Sequence, residues 1–404
     1  MSLTAERPPQ TRDGAALTAT VLGTVVLITA IAPLATDMYV PAFPLVTRDL
    51  DASAAEVQLT LTTFFVGMAL GQLLGGPFSD RAGRRRPLLV SLMVLTVASA
   101  LCAFSPSIGL MMLARLVQGF SGGWAMVIAR SVVVDLTSGA RMVRTLNLVS
   151  GIAGVAPIAG PLIGAAILQL SHWRVSFWVV AALAAVMVVT VAIGVPETLR
   201  HPGAPPRWSG QVLQNRAFTG YLVVFAFSMG TIFAYVATSA FVLQSMNGLS
   251  PVVYSVDFAL NAVGLTVATL VAARLADRVP TRTVVGAGLI ATAVAGAALL
   301  VGAVWFAMPL PVALIGFFVL MTAQGLVGPN AGALASAQVP DHPGTGSALL
   351  GFLQWCTAGV IAPLAGLGGE RSAVPMAAIV LALTSFSLLA LSTNQKGSLP
   401  CVES

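Results

Sequence analysis

Twelve long, uninterrupted apolar runs leave this chain very little freedom. They fall near 17–40, 57–78, 88–105, 107–129, 146–170, 175–195, 218–243, 252–273, 283–305, 311–335, 346–367 and 374–393. A helix needs about 20 apolar residues to cross the hydrocarbon core of a bilayer, and each run is close to that length. Barrel strands alternate over short segments, so continuous runs of this kind exclude a β-barrel. Only 8% of the 404 residues are charged, against about 25% in soluble domains. The expected class is therefore an all-α integral membrane protein with twelve transmembrane helices. The first run is too long for the apolar core of a signal peptide and has no convincing small-residue cleavage site after it.

Loop charges set the expected orientation. Sixteen of the twenty basic residues fall on the side that carries both termini; Arg48, Arg174 and Arg371 fall on the other side, and Arg115 lies inside a span. Nineteen of the twenty are arginine, with Lys396 the exception, a composition in keeping with a GC-rich bacterial genome. The positive-inside rule then places both termini in the cytoplasm. The net charge of +6 is juxtamembrane, and with no compact basic domain it offers nothing to nucleic acid. Cys102, Cys356 and Cys401 fit no metal spacing, and His172, His201 and His342 all fall in loops. No P-loop, nucleophile elbow or His-metal cluster occurs. Neither an enzyme nor a cofactor or metal site is expected.

The chain also repeats itself. RLVQG at Arg115–Gly119 is echoed by MTAQG at Met321–Gly325, GPLIG at Gly160–Gly164 by APLAG at Ala362–Gly366, and SDRAGRRR from Ser79 by ADRVPTR from Ala276. The three offsets all lie near 200 residues, which points to duplication. The expected organisation is an N-terminal tail 1–16, a six-helix half 17–198, a Pro/Gly/Arg-rich linker 199–217, a second six-helix half 218–393 and a tail 394–404.

Several motifs carry a family resemblance. Gly76, Asp80, Arg81, Gly83, Arg84 and Arg85 match the G-x-x-x-D-R-x-G-R-R signature between the second and third spans of the major facilitator superfamily. Arg115, Gln118 and Gly119 match its fourth-span signature. Gly151, Gly154, Gly160, Pro161 and Gly164 match the fifth-span signature of its antiporters, with Ala165 standing where a second Gly is common. ATDMYVPAFP at Ala35–Pro44, ARSVVVDL at Ala129–Leu136, PET at Pro196–Thr198, and FVLQSMNGLSP with FALNA at 241–262 resemble the bicyclomycin and chloramphenicol resistance (Bcr/CflA) drug–proton antiporters, over essentially the whole chain. The resemblance implies two pseudo-symmetric halves with binding between them near the midplane. It also implies that the glycine face of the fifth span lies against the eighth and eleventh and helps seal the inner path. Expected partners are a small-molecule drug, chloramphenicol first, together with protons and the lipid bilayer. The protein is expected to be a monomer in a bacterial inner membrane. A proton-coupled importer of a nutrient would share the fold.

Individual residues sharpen this. Asp37 lies in the outer half of the first span, where a charge costs about 2.5–3.5 kcal/mol on insertion scales. An acid there that switches between neutral and charged forms can trade a proton for a substrate; the alternative is a carboxylate solvated near the surface, with Pro33 and Pro41 shifting the helix end. Relatives carry a second acid two turns earlier, where this chain has Thr29. Arg115 stays charged and must find a carboxylate, a carbonyl or water; it either sits near Asp37 as a fixed charge on the proton path or snorkels to the surface. Its counterpart in the second half is Met321. Asp257 in the eighth span reads as a second titrating or cation-recognising group, or as a residue at the span's outer mouth; Asn261, one turn later on the same face, either offers hydrogen bonds in the cavity or only bonds another helix. Tyr39, Gln118, Phe233 and Tyr235 are candidate cavity residues with Asp37, Asp257 and Asn261; Phe64 and Phe65 are further aromatic candidates, although aromatics in bundles often only pack. Asp80, with Arg81 and Arg84, reads as a latch for the state closed on the cytoplasmic side, as well as a topology anchor.

Overall fold

A computed structural model describes residues 18–137, 139–199, 210–276, 278–339 and 343–394. Outside the described residues lie the expected tails apart from Asn394, linker positions 200–209, Asp277, His201, His342, Cys401, and the basic residues Arg7, Arg12, Arg200, Arg207 and Lys396. The helices are α1 (Ala19–Asp37), α2 (Phe43–Asp49), α3 (Ala54–Ala82), α4 (Arg85–Phe104), α5 (Ile108–Leu136), α6 (Gly139–Ala153), α7 (Ala156–Leu170), α8 (Arg174–Gly194), α9 (Arg216–Ala240), α10 (Pro251–Leu275), α11 (Thr281–Trp305), α12 (Leu310–Ala337), α13 (Pro343–Ala365) and α14 (Val374–Thr393). Twelve stretches among the described residues are long and apolar enough to cross a membrane, and they coincide with the twelve expected runs. Large apolar side chains such as Val97, Leu170 and Ile193 stand exposed on their outer faces, as lipid-facing positions must.

The helices depart from the plain runs where local chemistry intervenes. The first run ends as a helix at Asp37, passes through a 3-10 turn at Val40–Ala42 and resumes as α2. Pro41 and Pro44 cause this, since each lacks the N–H that a continuing helix requires. The fifth run breaks at Gly154–Val155 between α6 and α7, just before Pro157. The second run is extended by polar turns at both ends. Ser53 and Glu56 form a reciprocal capping box at its start, and its last turn takes in Asp80 and Arg81. The link to α4 is thus only Gly83 and Arg84. Gly83 has φ of 89°, a left-handed conformation that favours glycine.

Within the first half, α3 and α5 pack the most closely. A methyl at Gly67 or Gly71 would strike the carbonyl of Leu116 or Phe120, and one at Gly119 or Gly123 the carbonyl of Phe64 or Met68. The contact is reciprocal backbone-on-backbone, the close approach that small residues permit in membranes. Between the halves, α3 runs along α13 and α10 along α7. The second span meets the eleventh and the eighth meets the fifth, so the duplication maps each contact onto the other.

The halves are tied at one end. Three hydrogen bonds cross between them: Gln58 Nε2 to the Ala237 carbonyl (2.9 Å), Gln244 Nε2 to the Pro41 carbonyl (3.1 Å) and Thr47 Oγ1 to Glu370 Oε1 (3.4 Å). All lie on the side away from the termini, hereafter the far side. Among the described residues no hydrogen bond crosses on the terminus side.

The α3–α5 contact makes a position-specific prediction. Gly119→Ala should destabilise the protein by about 1–3 kcal/mol, the usual range for overpacking, because the methyl meets backbone. Gly122→Ala, whose methyl would reach only Met68 Sδ at 3.4 Å and Leu95 Cδ1 at 4.0 Å, should be near neutral. Thermal unfolding of both variants in detergent checks the contrast.

Candidate functional site

Asp37 is the last residue of α1 and is only 6% exposed. Its Oδ1 accepts a hydrogen bond from Thr36 Oγ1 at 3.0 Å, and no basic side chain lies within 4 Å of its carboxylate among the described residues. The surface-solvated alternative is therefore not what the structure shows. Space for the acid comes from α7: a Cβ at Gly160 would lie 3.0 Å from Asp37 Cβ, and one at Gly164 would strike the Met38 carbonyl. The fifth span does run along the eighth, as expected, but the glycine face and the eleventh span depart from the expectation. Gly160 and Gly164 press on the end of α1 in the far half of the molecule, and α13 takes α3 as its neighbour. Gly151 has nothing within 4 Å of an added Cβ, and Gly154 lies in the break between α6 and α7. Thr29 spends its hydroxyl on the Val25 carbonyl (2.8 Å).

Arg115 does not snorkel; it is fully buried. One Nη1 donates to the Ala35 carbonyl (3.1 Å) and to Gln118 Oε1 (2.7 Å). Its guanidinium carbon stands 4.2 Å from the Phe64 ring centroid, 5.4 Å from that of Tyr39 and 5.7 Å from that of Phe177. The expected proximity to Asp37 is indirect: the guanidinium holds α1 by a backbone carbonyl two residues before the acid, and no ion pair joins the two. Its Nε and Nη2 are buried without a hydrogen-bond partner, and the aromatic faces stand beside the charge. Gln118 Nε2 in turn donates to Ser99 Oγ (2.8 Å). The second half repeats the arrangement: Gln324 Nε2 donates to Thr292 Oγ1 (3.0 Å), and Ser228 Oγ donates to Gln324 Oε1 (2.5 Å). Ser228 fills the donor role that Arg115 has in the first half. Ser99, Thr292 and Ser228 escaped sequence reasoning because single hydroxyls in apolar helices carry no pattern.

In the second half, Asn261 Nδ2 donates to Tyr235 OH (3.0 Å) and to Asp257 Oδ2 (2.9 Å). Tyr254 OH and Ser239 Oγ share a hydrogen bond of 3.0 Å. Tyr235 and Tyr254 both pack against Phe258, with ring centroids 5.3 Å and 6.0 Å from its own. Phe233, Phe65 and Trp355 form an aromatic cluster across the halves, with centroids 4.7–5.8 Å apart.

Four cavity assignments need correction for this state. Tyr39, Gln118, Tyr235 and Asn261 have essentially no exposed surface. Tyr39 packs on Phe43 and Phe177, and its hydroxyl accepts from Thr60 Oγ1 (3.2 Å); Gln118 is wedged between α4 and α5. These four are packed within their own halves, while Phe233 and Asp257 keep partial exposure.

On the terminus side, stretches far apart in sequence converge. Arg84 Nη1 pairs with Asp80 Oδ1 (2.5 Å) and Arg84 Nε with Asp135 Oδ2 (3.0 Å). Thr198 Oγ1 donates to the same Asp135 oxygen (2.9 Å). Glu197 accepts from the backbone N–H of Arg84 (2.7 Å) and of Arg85 (3.2 Å), capping α4 from a distance where the helix leaves donors unpaired. A Cβ at Gly83 would lie 2.6 Å from Glu197 Oε2. Gly76 is half-buried, with only Val127 within reach of an added Cβ (3.7 Å). Arg81 is exposed and forms no ion pair among the described residues. Asp80 thus has its partner within its own half in this state.

Twelve spans arranged as two six-helix halves that hydrogen-bond to each other at one end are the architecture of a membrane transporter built from repeated halves. The family model described as the Major Facilitator Superfamily matches residues 25–363. An uncharacterised MFS-type transporter of Bacillus subtilis, YdgK, is 34% identical over 90% of this chain and 92% of its own length. A bicyclomycin resistance protein homolog of Haemophilus influenzae is 27% identical over 90% of this chain and 93% of its own. Among solved structures, a bacterial homolog of the human lysosomal transporter Spinster, inward-facing and occupied, superposes with a TM-score of 0.75 at 16% identity, over 93% of this chain and 95% of that one. The chain belongs to the Major Facilitator Superfamily and is a multi-pass membrane protein.

Glu197 yields a test of the terminus-side cluster. Burial pushes its carboxyl up, but the backbone N–H groups of Arg84, Leu199, Arg85 and Thr198 outweigh this and hold it below the ordinary carboxylate value. A carboxyl held low stabilises the fold at neutral pH, and that contribution is lost as pH falls through its folded value. Glu197→Gln should lower the melting temperature at about pH 7 and melt with less acid sensitivity than wild type between about pH 7 and pH 4. Melting curves in detergent across that range decide it.

Proposed function

We propose that the protein is a proton-coupled exporter of small lipophilic antibiotics, with chloramphenicol the first candidate. It would sit in a bacterial inner membrane with both termini in the cytoplasm, as the arginine distribution directs. The far side is then the outer side, and the conformer is closed outward. The observation that carries the reading is Asp37: a carboxylate buried at the end of α1 against Gly160 of α7, with no basic side chain within 4 Å among the described residues. An ion so placed is costly, and a proton is the simplest neutralising partner.

A cycle follows. In the outward-open state Asp37 takes a proton from outside and drug leaves; the loaded halves rock, and the proton passes to the cytoplasm as new drug binds. Arg115 acts as a positioning residue, holding the Ala35 carbonyl and so the last turn of α1. The bicyclomycin-resistance relative supports the antibiotic class, and the Asp37–Gly160 contact ties the proton site to the antiporter motif. The Asp80–Arg84–Asp135 cluster, held by Glu197, is the element that would re-pair across the halves when the inner side closes.

Asp37→Asn should abolish gradient-dependent efflux and return chloramphenicol susceptibility of expressing cells to the empty-vector level. The measurement is drug accumulation with and without a protonophore, in a panel that includes neutral and charged antibiotics. Full protonophore-sensitive efflux by Asp37→Asn would overturn the role of Asp37; growth on a nutrient that depends on the gene, without drug sensitivity on its loss, would favour import instead.

A further inference from the structure

The cycle through Asp37 leaves the acid of the second half without a task. Asp257 is half-buried six residues into α10, and no basic side chain lies within 4 Å of it among the described residues. Its one side-chain partner is Asn261, a fully buried amide one turn on. Both N–H groups of Asn261 are committed, one to Tyr235 OH and one to Asp257 Oδ2. Its carbonyl Oδ1 is buried with no partner. The amide orientation follows from the carboxylate: reversed, it would set its oxygen against Asp257 Oδ2. Leaving a buried acceptor unmade is unfavourable, so the site as it stands is missing a donor.

A cationic donor would serve both free acceptors at once. The free oxygens are a carboxylate and an amide carbonyl, and aromatic faces stand beside them: the Tyr235 and Phe258 centroids are 5.3 Å apart, and those of Tyr254 and Phe258 are 6.0 Å apart. A hard metal ion asks for about six to eight oxygens, more than are free here. An alkylammonium group brings three N–H donors and no acceptor, pairs with the carboxylate, satisfies the carbonyl and gains from aromatic faces.

We propose that Asp257 and Asn261 hold the protonated amine of a cationic cargo, beside the rings of Tyr235 and Phe258. The inference rests on the exporter reading and narrows its cargo: a lipophilic amine is held in preference to a neutral molecule of the same shape. The two acids divide the work, with Asp37 exchanging the proton and Asp257 recognising the charge. The partial exposure of Asp257 gives the amine its approach, and the buried Asn261 carbonyl sets how deeply it seats.

The test is equilibrium binding to the purified full-length protein in detergent, using doxorubicin, its N-acetylated neutral derivative and chloramphenicol. Wild type should bind doxorubicin at least tenfold more tightly than the N-acetylated form. Asp257→Asn should cut that ratio at least tenfold, and Asp257→Glu should restore most of it. Asn261→Leu, which keeps the volume but removes the carbonyl, should cut it several-fold. Wild type that binds chloramphenicol but shows no preference for the free amine overturns this inference and leaves the exporter reading standing; so does an Asp257→Asn protein with the wild-type ratio. Wild type that binds none of the three overturns the exporter reading and this inference with it. The wild-type comparison needs no variant, so it decides the matter even where a substitution impairs folding.

Discussion

In hydrocarbon no water completes a broken backbone hydrogen bond, so a spanning segment satisfies its own N–H and C=O groups or hides them in protein. Everything distinctive about this molecule sits where that rule is strained. The α1–α2 span is broken at 38–42, and its counterpart in the second half turns from α into a π-helical segment at Phe241–Met246 at the end of α9. The two irregular segments meet each other on the far side: Gln244 donates to the Pro41 carbonyl, and the Phe43 and Phe241 rings stand 5.6 Å apart. Each half covers the exposed backbone of the other. The seal between the halves is therefore built from the places where helices cannot continue, and opening it means finding new partners for those groups.

The same constraint explains why Asp37 lies where it does. A carboxylate in mid-helix would face lipid or a packed neighbour, whereas at the end of α1 it stands beside the turn and under the glycines of α7. Gly160 and Gly164 are not spare flexibility; they are the room that a charged side chain and a bent backbone need against a neighbouring helix. Duplication then supplies a frame on which the halves diverge. Gln118 and Gln324 keep the same bond to a hydroxyl on the preceding span, Ser99 or Thr292. Their carbonyls take an arginine in one half and a serine in the other. A single change of donor leaves one half with a buried cation and the other neutral.

Much of this was legible in the chain. Twelve runs gave twelve spans because length and hydropathy are additive properties that any packing must respect, and the repeats at an offset near 200 carried the pairing of halves. Helix ends were less legible: the second run extends past its apolar part because Ser53, Glu56, Asp80 and Arg81 cap and solvate turns that hydropathy cannot see. The site was legible in its residue types but not in its distances. Asp37 and Arg115 stood out as charges in apolar helices, yet their separation by backbone, with Arg115 bound to the Ala35 carbonyl, depends on how α1 and α5 pack. The branch-specific stretches ARSVVVDL and PET were visible as strings; only the fold shows that Asp135, Glu197 and Thr198 meet around Arg84.

That meeting changes what the run GGPFSDRAGRRRP does. An arginine cluster at a helix end satisfies the positive-inside rule with any spacing of its charges. Here the spacing matters, because Arg84 is at once the residue before α4, the partner of Asp80 one turn away and the partner of Asp135 on α5, while Glu197 from the end of α8 fastens the backbone on either side. Four spans of the first half are knotted at one point. Under the proposed cycle a half tied in this way would move as a unit, and the exposed Arg81 at the edge of the cluster would be left to meet the second half on closure of the terminus side.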